Sequence, residues 1–342
     1  MSIEERAPVI GFTTTIPVEV VFAGGYTPCD LNNIFITDDN PMQYLEKAER
    51  DGFPKSMCNW IKGIYGVVMK KRIDAVITVM EGDCSNTQAL AEILRYKGVQ
   101  TIPFSYPFDR DREVLQREIE KLKIVFSVSD DRLNVVEKEM NGVRSALETI
   151  DRMTWNEKLV SSYENHHWLV RASDMLGNYR EYSAMARDFI EKAKPRKPLE
   201  GIRIGYIGVP PIVPDIYDFI ESVGGHVVYN ETQRQFNLPY KTINLTDRYL
   251  KYTYPYGVFA RLEDIQREIE RRKIQGIIHY VQAFCYRAIE DVILRETLGI
   301  PMITIEGELP KPLDSRTKLR IEAFLEVLCG RTDGEDEKTE NR

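Results

Sequence analysis

Two stretches of ten residues, 75–84 (AVITVMEGDC) and 276–285 (GIIHYVQAFC), align without a gap at an offset of 201. In each, an unbroken apolar run ends in a cysteine, and a glycine follows that cysteine by 14 residues, at Gly98 and Gly299. The pairs Gly24-Gly25 and Gly224-Gly225 repeat at an offset of 200. A chain that carries one unit twice must fold as two copies of one plan. Continuous rather than alternating apolar runs mark strands covered on both faces, which is the pattern of a parallel sheet joined by crossover helices. The expected fold class is therefore α/β, with two similar Rossmann-like or flavodoxin-like parallel-sheet domains related by an internal repeat.

Patterning along the chain fills in this plan. In the first half, strands are predicted over 8–14, 32–37, 75–80 and 99–106, and helices over 18–25, 55–71 and 87–98. Residues 109–195 change character, with apolar residues at i, i+3 and i+4 and no strand between them, so a helical segment separates the two copies. KPRKPLEG (194–201) reads as a linker. The second half resumes with strands over 202–209, 226–231, 276–282 and 301–307, and helices over 214–225, 262–273, 286–299 and 317–328. The expected organisation is an N-terminal α/β domain over 1–110, a helical segment and linker over 111–198, a C-terminal α/β domain over 199–330 and a polar, disordered tail over 331–342.

Charge and composition exclude several functions. The 342 residues carry a net charge of -7, which argues against nucleic acid as a partner because phosphate binding needs a basic face. The first residues, MSIEERAPVIGF, have no basic stretch ahead of a long apolar run, so no signal peptide is expected. No run of about 18 apolar residues occurs, so no membrane span is expected and the protein should be cytoplasmic. The five cysteines, Cys29, Cys58, Cys84, Cys285 and Cys329, are an odd number in a large chain, which speaks against a disulfide framework. No C-x-x-C pair is present, so zinc-ribbon spacing is absent.

Cys84 and Cys285 each close a strand and open a helix, and in open α/β sheets ligands bind beyond the carboxyl ends of the strands. If the two copies face one another, these thiols converge. Cys58 opens the helix that leads to the Cys84 strand, where a helix N-terminus favours the thiolate. The position matching Cys58 in the second copy falls near Val258 and Phe259 and holds no cysteine. Three thiolates are one too few for the four irons of a [4Fe-4S] cube, which would leave one iron open. On spacing alone the cysteines read equally as inert buried thiols, and a catalytic nucleophile finds no clear histidine partner. His166 and His167 fall on a polar helix, and His279 falls within a strand. Asp83 is a candidate cap for the helix after Cys84. Arg261, Arg271, Arg272 and Arg287 read as a solvated helix face or as contacts for phosphates. YTYPYG (252–257) is expected to pack near the cleft or a subunit interface. GYIGVPP lacks the GxGxxG spacing of a dinucleotide site, and no P-loop occurs.

The stretches IPVEVVFAGGYTP (16–28), MCNWIKGIYG (57–66), VITVMEGDCSNT (76–87), FSYPFD (104–109), GIIHYVQAFC (276–285) and LRIEAFLE (319–326) together make the chain resemble the 2-hydroxyacyl-CoA dehydratase and benzoyl-CoA reductase subunit family, which includes the double-cubane cluster proteins. The resemblance covers about Pro8 to Leu328. It implies one [4Fe-4S] cluster on three cysteines, by position Cys58, Cys84 and Cys285. It also implies an ATP-hydrolysing iron–sulfur activator as electron donor, a homodimer or a heterodimer with a paralogous subunit, and an acyl-CoA substrate. The activity implied is radical, reductive dehydration of a 2-hydroxyacyl-CoA. The alternatives are reduction of small molecules by a double cubane, or non-catalytic electron transfer. A carboxylate near Glu19 faces the substrate in dehydratase-like members, which makes Glu19 a candidate general acid or base. Its other reading is a helix N-terminal acid complementing the dipole. Cys29 stands where the family leads one to expect an apolar residue. It is either an extra ligand or, the reading favoured here, a strand-core thiol.

Overall fold

The computed structural model describes residues 6–340, with side chains over 6–330; the tail expected to be disordered over 331–342 lies outside the fully described residues. The first copy comprises β1 (Val9–Phe12), α1 (Val18–Ala23), β2 (Thr27–Asp30), α2 (Leu31–Thr37), α3 (Met42–Arg50), α4 (Asn59–Lys70), β3 (Ala75–Glu81), α5 (Ser85–Tyr96) and β4 (Thr101–Ser105). Four helices follow: α6 (Arg112–Val125), α7 (Asp130–Trp155), α8 (Ser162–Val170) and α9 (Tyr179–Ala193). The second copy comprises β5 (Ile202–Gly208), α10 (Ile216–Ser222), β6 (Gly225–Asn230), α11 (Glu231–Phe236), α12 (Leu245–Lys251), α13 (Val258–Arg272), β7 (Gly276–Gln282), α14 (Asp291–Thr297), β8 (Met302–Gly307) and α15 (Ser315–Glu340).

Each copy builds a four-stranded, wholly parallel sheet, in the orders β2-β1-β3-β4 and β6-β5-β7-β8. The two orders are the same 2-1-3-4 pattern, which is that of the flavodoxin-like folds rather than of the Rossmann fold. The internal repeat is thus a repeat of topology. Gly98 and Gly299, the glycines at the shared offset, both take left-handed φ, +81° and +65°, just past α5 and α14, where the chain must reverse into the next strand. The strand prolines Pro28 and Pro103 fall on β2 and β4, the sheet edges, where the missing N–H breaks no ladder.

The two copies share their interior. One buried cluster joins Ile61 and Ile64 of α4 to Ile212 and Ile216 of the second copy and continues to Ile321 of α15. Another wraps the first sheet with the helical segment and draws in Tyr249, Tyr252 and Tyr256 from the second copy. Tyr252 and Tyr256 meet the ring of Tyr106 edge-on at 5.9 and 6.1 Å, so the aromatic YTYPYG run packs at the junction of the copies.

Residues 32–37, expected as a strand, form helix α2 instead. The edge strand β2 ends at Asp30, whose carboxylate accepts from Asn32 N at 2.9 Å and so opens a helix. The apolar residues of NNIFIT bury against α4 rather than in a sheet. The single helix expected over 286–299 divides into a 3-10 turn, Tyr286–Glu290, followed by α14. Helices α3, α11 and α12 were not among the expected elements; α3 is nonetheless amphipathic, burying Tyr44, Leu45 and Ala48 on one face.

Helix α4 can lie between α2 and α3 because it presents Gly63 and Gly66. A Cβ at Gly66 would stand 2.6 Å from Tyr44 Cα, a backbone atom of α3 that no rotamer change can move. Gly66→Ala is expected to lower unfolding free energy by about 1–3 kcal/mol in urea titrations. An unchanged midpoint would show that α3 is not seated on α4 as described.

Candidate functional site

A parallel strand ends where its crossover helix begins, so the strand termini and the helix N-termini of one sheet lie on one edge. These edges of the two sheets line a common cavity of about 950 Å³, its open mouth included. After β1 comes Thr13-Thr14-Thr15, after β2 Asn32 and Asn33, after β3 Asp83 and Cys84, after β5 Val209 to Pro211, and after β7 Cys285 to Arg287. Cys58, ahead of α4, and His166, on α8, complete the wall used below.

The structure therefore brings Cys58, Cys84 and Cys285 to one cavity. Each occupies the position before the first residue of a helical turn: α4, α5 and the 3-10 turn Tyr286–Glu290. None closes a capping hydrogen bond, yet the amides of the first turn face each sulfur. Burial pushes the Cys58 thiol up to about 12, opposed by the N–H groups of Ile61 and Trp60 and reinforced by the neighbouring Cys285 and Cys84. Burial raises Cys84 to about 11, against the amides of Thr87 and Asn86. Burial also raises Cys285, against the amide and charge of Arg287. The thiols are close enough to influence one another, but buried without a cation they stay protonated at neutral pH.

The turns that present them are tightly specified. Asp83 Oδ1 accepts from Cys84 N at 2.8 Å, and its Oδ2 accepts from Thr87 Oγ1 at 3.0 Å. Asp83, expected as the cap, thus braces the start of α5 from one residue before the observed N-cap, Cys84. Burial lifts its carboxyl to about 6. In the second copy the matching turn places Phe284 at φ +65°, a conformation bulky residues seldom adopt, directly before Cys285. Arg287 is buried; its guanidinium donates to Tyr254 O at 2.6 Å and stacks 4.5 Å from the Tyr254 ring centroid.

The other residues singled out by sequence lie elsewhere. Glu19 is fully buried in the first turn of α1, paired with Arg144 and accepting from Tyr249 Oη at 2.8 Å; it does not line the cavity. Cys29 sits in β2 opposite Gly11, away from the cavity wall, and Cys329 is exposed on α15. Arg261 and Arg272 form neither a solvated face nor a phosphate site. Arg261 is buried against Glu231 at 2.6 Å, and Arg272 against Asp151 and Glu268, each at 2.6 Å. The threonine loop carries no spacing signal in the sequence, and His166, expected only as part of a polar helix beside His167, lines the cavity. Among the described residues no helix is long and apolar enough to cross a membrane.

A model of the family described as 2-hydroxyglutaryl-CoA dehydratase, D-component, matches residues 13–328. The chain belongs to that family. No curated protein matches it. The match begins just past β1 and takes in the other seven strands and the helices between them, so it covers every residue of the cavity wall.

One carboxylate pair touches this wall. Asp30 lines the cavity, and its amide donates to Asp174 Oδ2 at 2.8 Å. Burial, then the charge of Asp30, pushes Asp174 up to about 7. Because the folded value lies above the unfolded one of about 3.9, the protonated form is the favoured folded form. Its stabilising effect is complete below about pH 4 and is lost as pH rises through about 7. Asp174→Asn is expected to shrink the drop in urea midpoint between pH 5 and pH 8; an unaltered drop would assign the pH dependence to other groups.

Proposed function

We propose that the chain is a subunit of a 2-hydroxyacyl-CoA dehydratase that holds one [4Fe-4S] cluster with Cys58, Cys84 and Cys285. The observation that carries this reading is the placement of three thiols, from two copies of one fold, around a single cavity. The donor set suits a cube. Among the described residues no group of three or more His, Cys, Asp or Glu converges as on a single metal ion. A cube asks for something different, since each cysteine bonds a separate iron. Trp60 Nε1 and Gln282 Oε1 on the cavity wall also lack a partner among the described residues, as expected of a wall built around a bound group.

When bound, the cluster supplies low-potential single electrons and, with three protein thiolates, an iron left open to a substrate oxygen. The chain's own residues do the rest. Cys58, Cys84 and Cys285 give up their protons on loading, because only a bound cation offsets their burial. The helix N-termini and Arg287 set positive potential against an anionic group. Ile36, Ile61, Ile64, Val170 and Phe236 keep the cavity apolar and restrict water.

The chain shows no P-loop or dinucleotide fingerprint, so the electron is drawn from an ATP-hydrolysing iron–sulfur activator, and a second, paralogous subunit completes the enzyme. Acyl-CoA is the substrate class. Glu19, held by Arg144 and Tyr249, serves here as a structural anchor of α1.

Protein purified anaerobically should hold roughly four irons per chain, with broad visible absorption. Serine at Cys58, Cys84 or Cys285 should remove most of both, and Cys329→Ser should leave both intact. Loss through Cys329→Ser but not through Cys285→Ser would contradict the ligand set. Activator plus ATP should produce the reduced-cluster paramagnetic resonance signal, and activator alone should not; equal reduction without ATP would favour a simple electron carrier.

A further inference from the structure

A continuous chain of hydrogen bonds runs from the ion pair of Asp151 and Arg272 to the cavity, and the direction of its bonds as far as Tyr217 is fixed from the ion-pair end. Asp151 receives both terminal nitrogens of Arg272, at 2.8 and 2.6 Å, and is therefore an acceptor only. Asn165 must then turn its amide nitrogen toward Asp151, and this nitrogen lies 3.3 Å from Asp151 Oδ1 and 3.0 Å from Thr154 Oγ1. Thr154 spends its own proton on Ile150 O at 3.0 Å, so it too accepts from Asn165. That leaves Asn165 Oδ1 facing Asn230, which donates to it at 2.7 Å. Asn230 Oδ1 accordingly accepts from Tyr217 Oη at 2.8 Å.

Tyr217 has now used its proton and needs a donor. Gln233 supplies one from its amide nitrogen at 3.0 Å, and the second hydrogen of that nitrogen points to His166 Nδ1 at 3.1 Å. Tyr217 Oη also lies 3.4 Å from Nδ1, but its proton is already given to Asn230 and its donor is Gln233; in this arrangement Nδ1 of His166 is an acceptor and the ring proton resides on Nε2. One atom is left unmatched by this arrangement, Gln233 Oε1, which has no partner among the described residues. The chain holds its polarity even so.

His166 lines the cavity and its ring stacks on Tyr217 with centroids 4.8 Å apart. Nε2 has no protein partner among the described residues. We propose that His166 donates its Nε2–H to the thioester carbonyl oxygen of an acyl-CoA bound in the cavity, its proton held on that nitrogen by the chain anchored at Asp151 and Arg272. A neutral N–H suits a neutral carbonyl acceptor rather than a phosphate. Burial, with the charges of His167 and Arg171, keeps the ring neutral by lowering His166 to about 3. This assignment rests on the dehydratase reading only for the identity of the ligand.

Two measurements test it. Long-range proton–nitrogen NMR on histidine-labelled protein should find His166 as the neutral Nε2–H tautomer from pH 7 down to pH 5; an Nδ1–H tautomer or an imidazolium would overturn the proposal. The resonance is identified by its loss in His166→Phe. Binding of 2-hydroxyglutaryl-CoA and acetyl-CoA to the iron-loaded protein should weaken about tenfold in His166→Phe, which keeps the ring stack but not the donor. It should recover to within about threefold of the parent in His166→Gln, which restores an N–H donor, and free CoA should bind all three alike. Unweakened acyl-CoA binding in His166→Phe would overturn the proposal and leave the dehydratase reading standing. If neither thioester binds the parent protein, both fall.

Discussion

The structure depends on one constraint of chain direction. A parallel strand can be followed by another only through a crossover, so each sheet gathers its strand ends and the N-termini of its helices on a single edge. Two such sheets, with identical strand order, set those edges around one cavity. Peptide dipoles of both copies then contribute positive potential to one volume, from α4, α5 and the turn after β7. A site for an electron-rich, anionic group follows from this arrangement before any particular side chain is considered. The cysteines stand at the N-cap positions of these three turns.

The copies do not remain equivalent. Cys58 precedes α4, whereas Gly257 holds the corresponding place before α13, so the two halves contribute two thiols and one. The divergence extends to the interior of the second copy, where Arg234, Arg261 and Arg272 are buried against Asp264, Glu231, Asp151 and Glu268. Removing one partner of such a pair strands a buried charge, at about 3–5 kcal/mol. Their value lies in direction as much as in strength: a paired Arg and Asp impose donor and acceptor roles on every amide that touches them. In this protein that imposition reaches a ring on the cavity wall.

The repeat was legible in sequence because it is carried by unbroken apolar strands and by glycines at backbone positions that require left-handed φ, as at Gly98 and Gly299. Cys84 and Cys285 were legible for the same reason, as fixed points of that repeat. Residues 32–37 were misread because IFIT has strand composition, and only the pairing of β2 with β1, complete by Asp30, shows that the sheet has already ended. Glu19 was singled out by the resemblance and by its place at a helix start, and the arginines of α13 by residue type; neither discloses a partner such as Arg144, 125 positions from Glu19. The place of His166 on the cavity wall was hidden for a related reason. Its role depends on Gln233 and Tyr217, which share no local motif with it.

The proposal that the two copies hold one cluster between them makes iron the most informative atom to locate. The most direct test is an iron anomalous-difference map from crystals grown without oxygen. The account predicts one compact set of iron peaks inside the cavity, with Cys58, Cys84 and Cys285 each bonded to a different iron and one iron without a protein thiolate. Iron bound through Cys29 or Cys329, or a cavity closed by a bond between Cys84 and Cys285 with iron elsewhere, would contradict it.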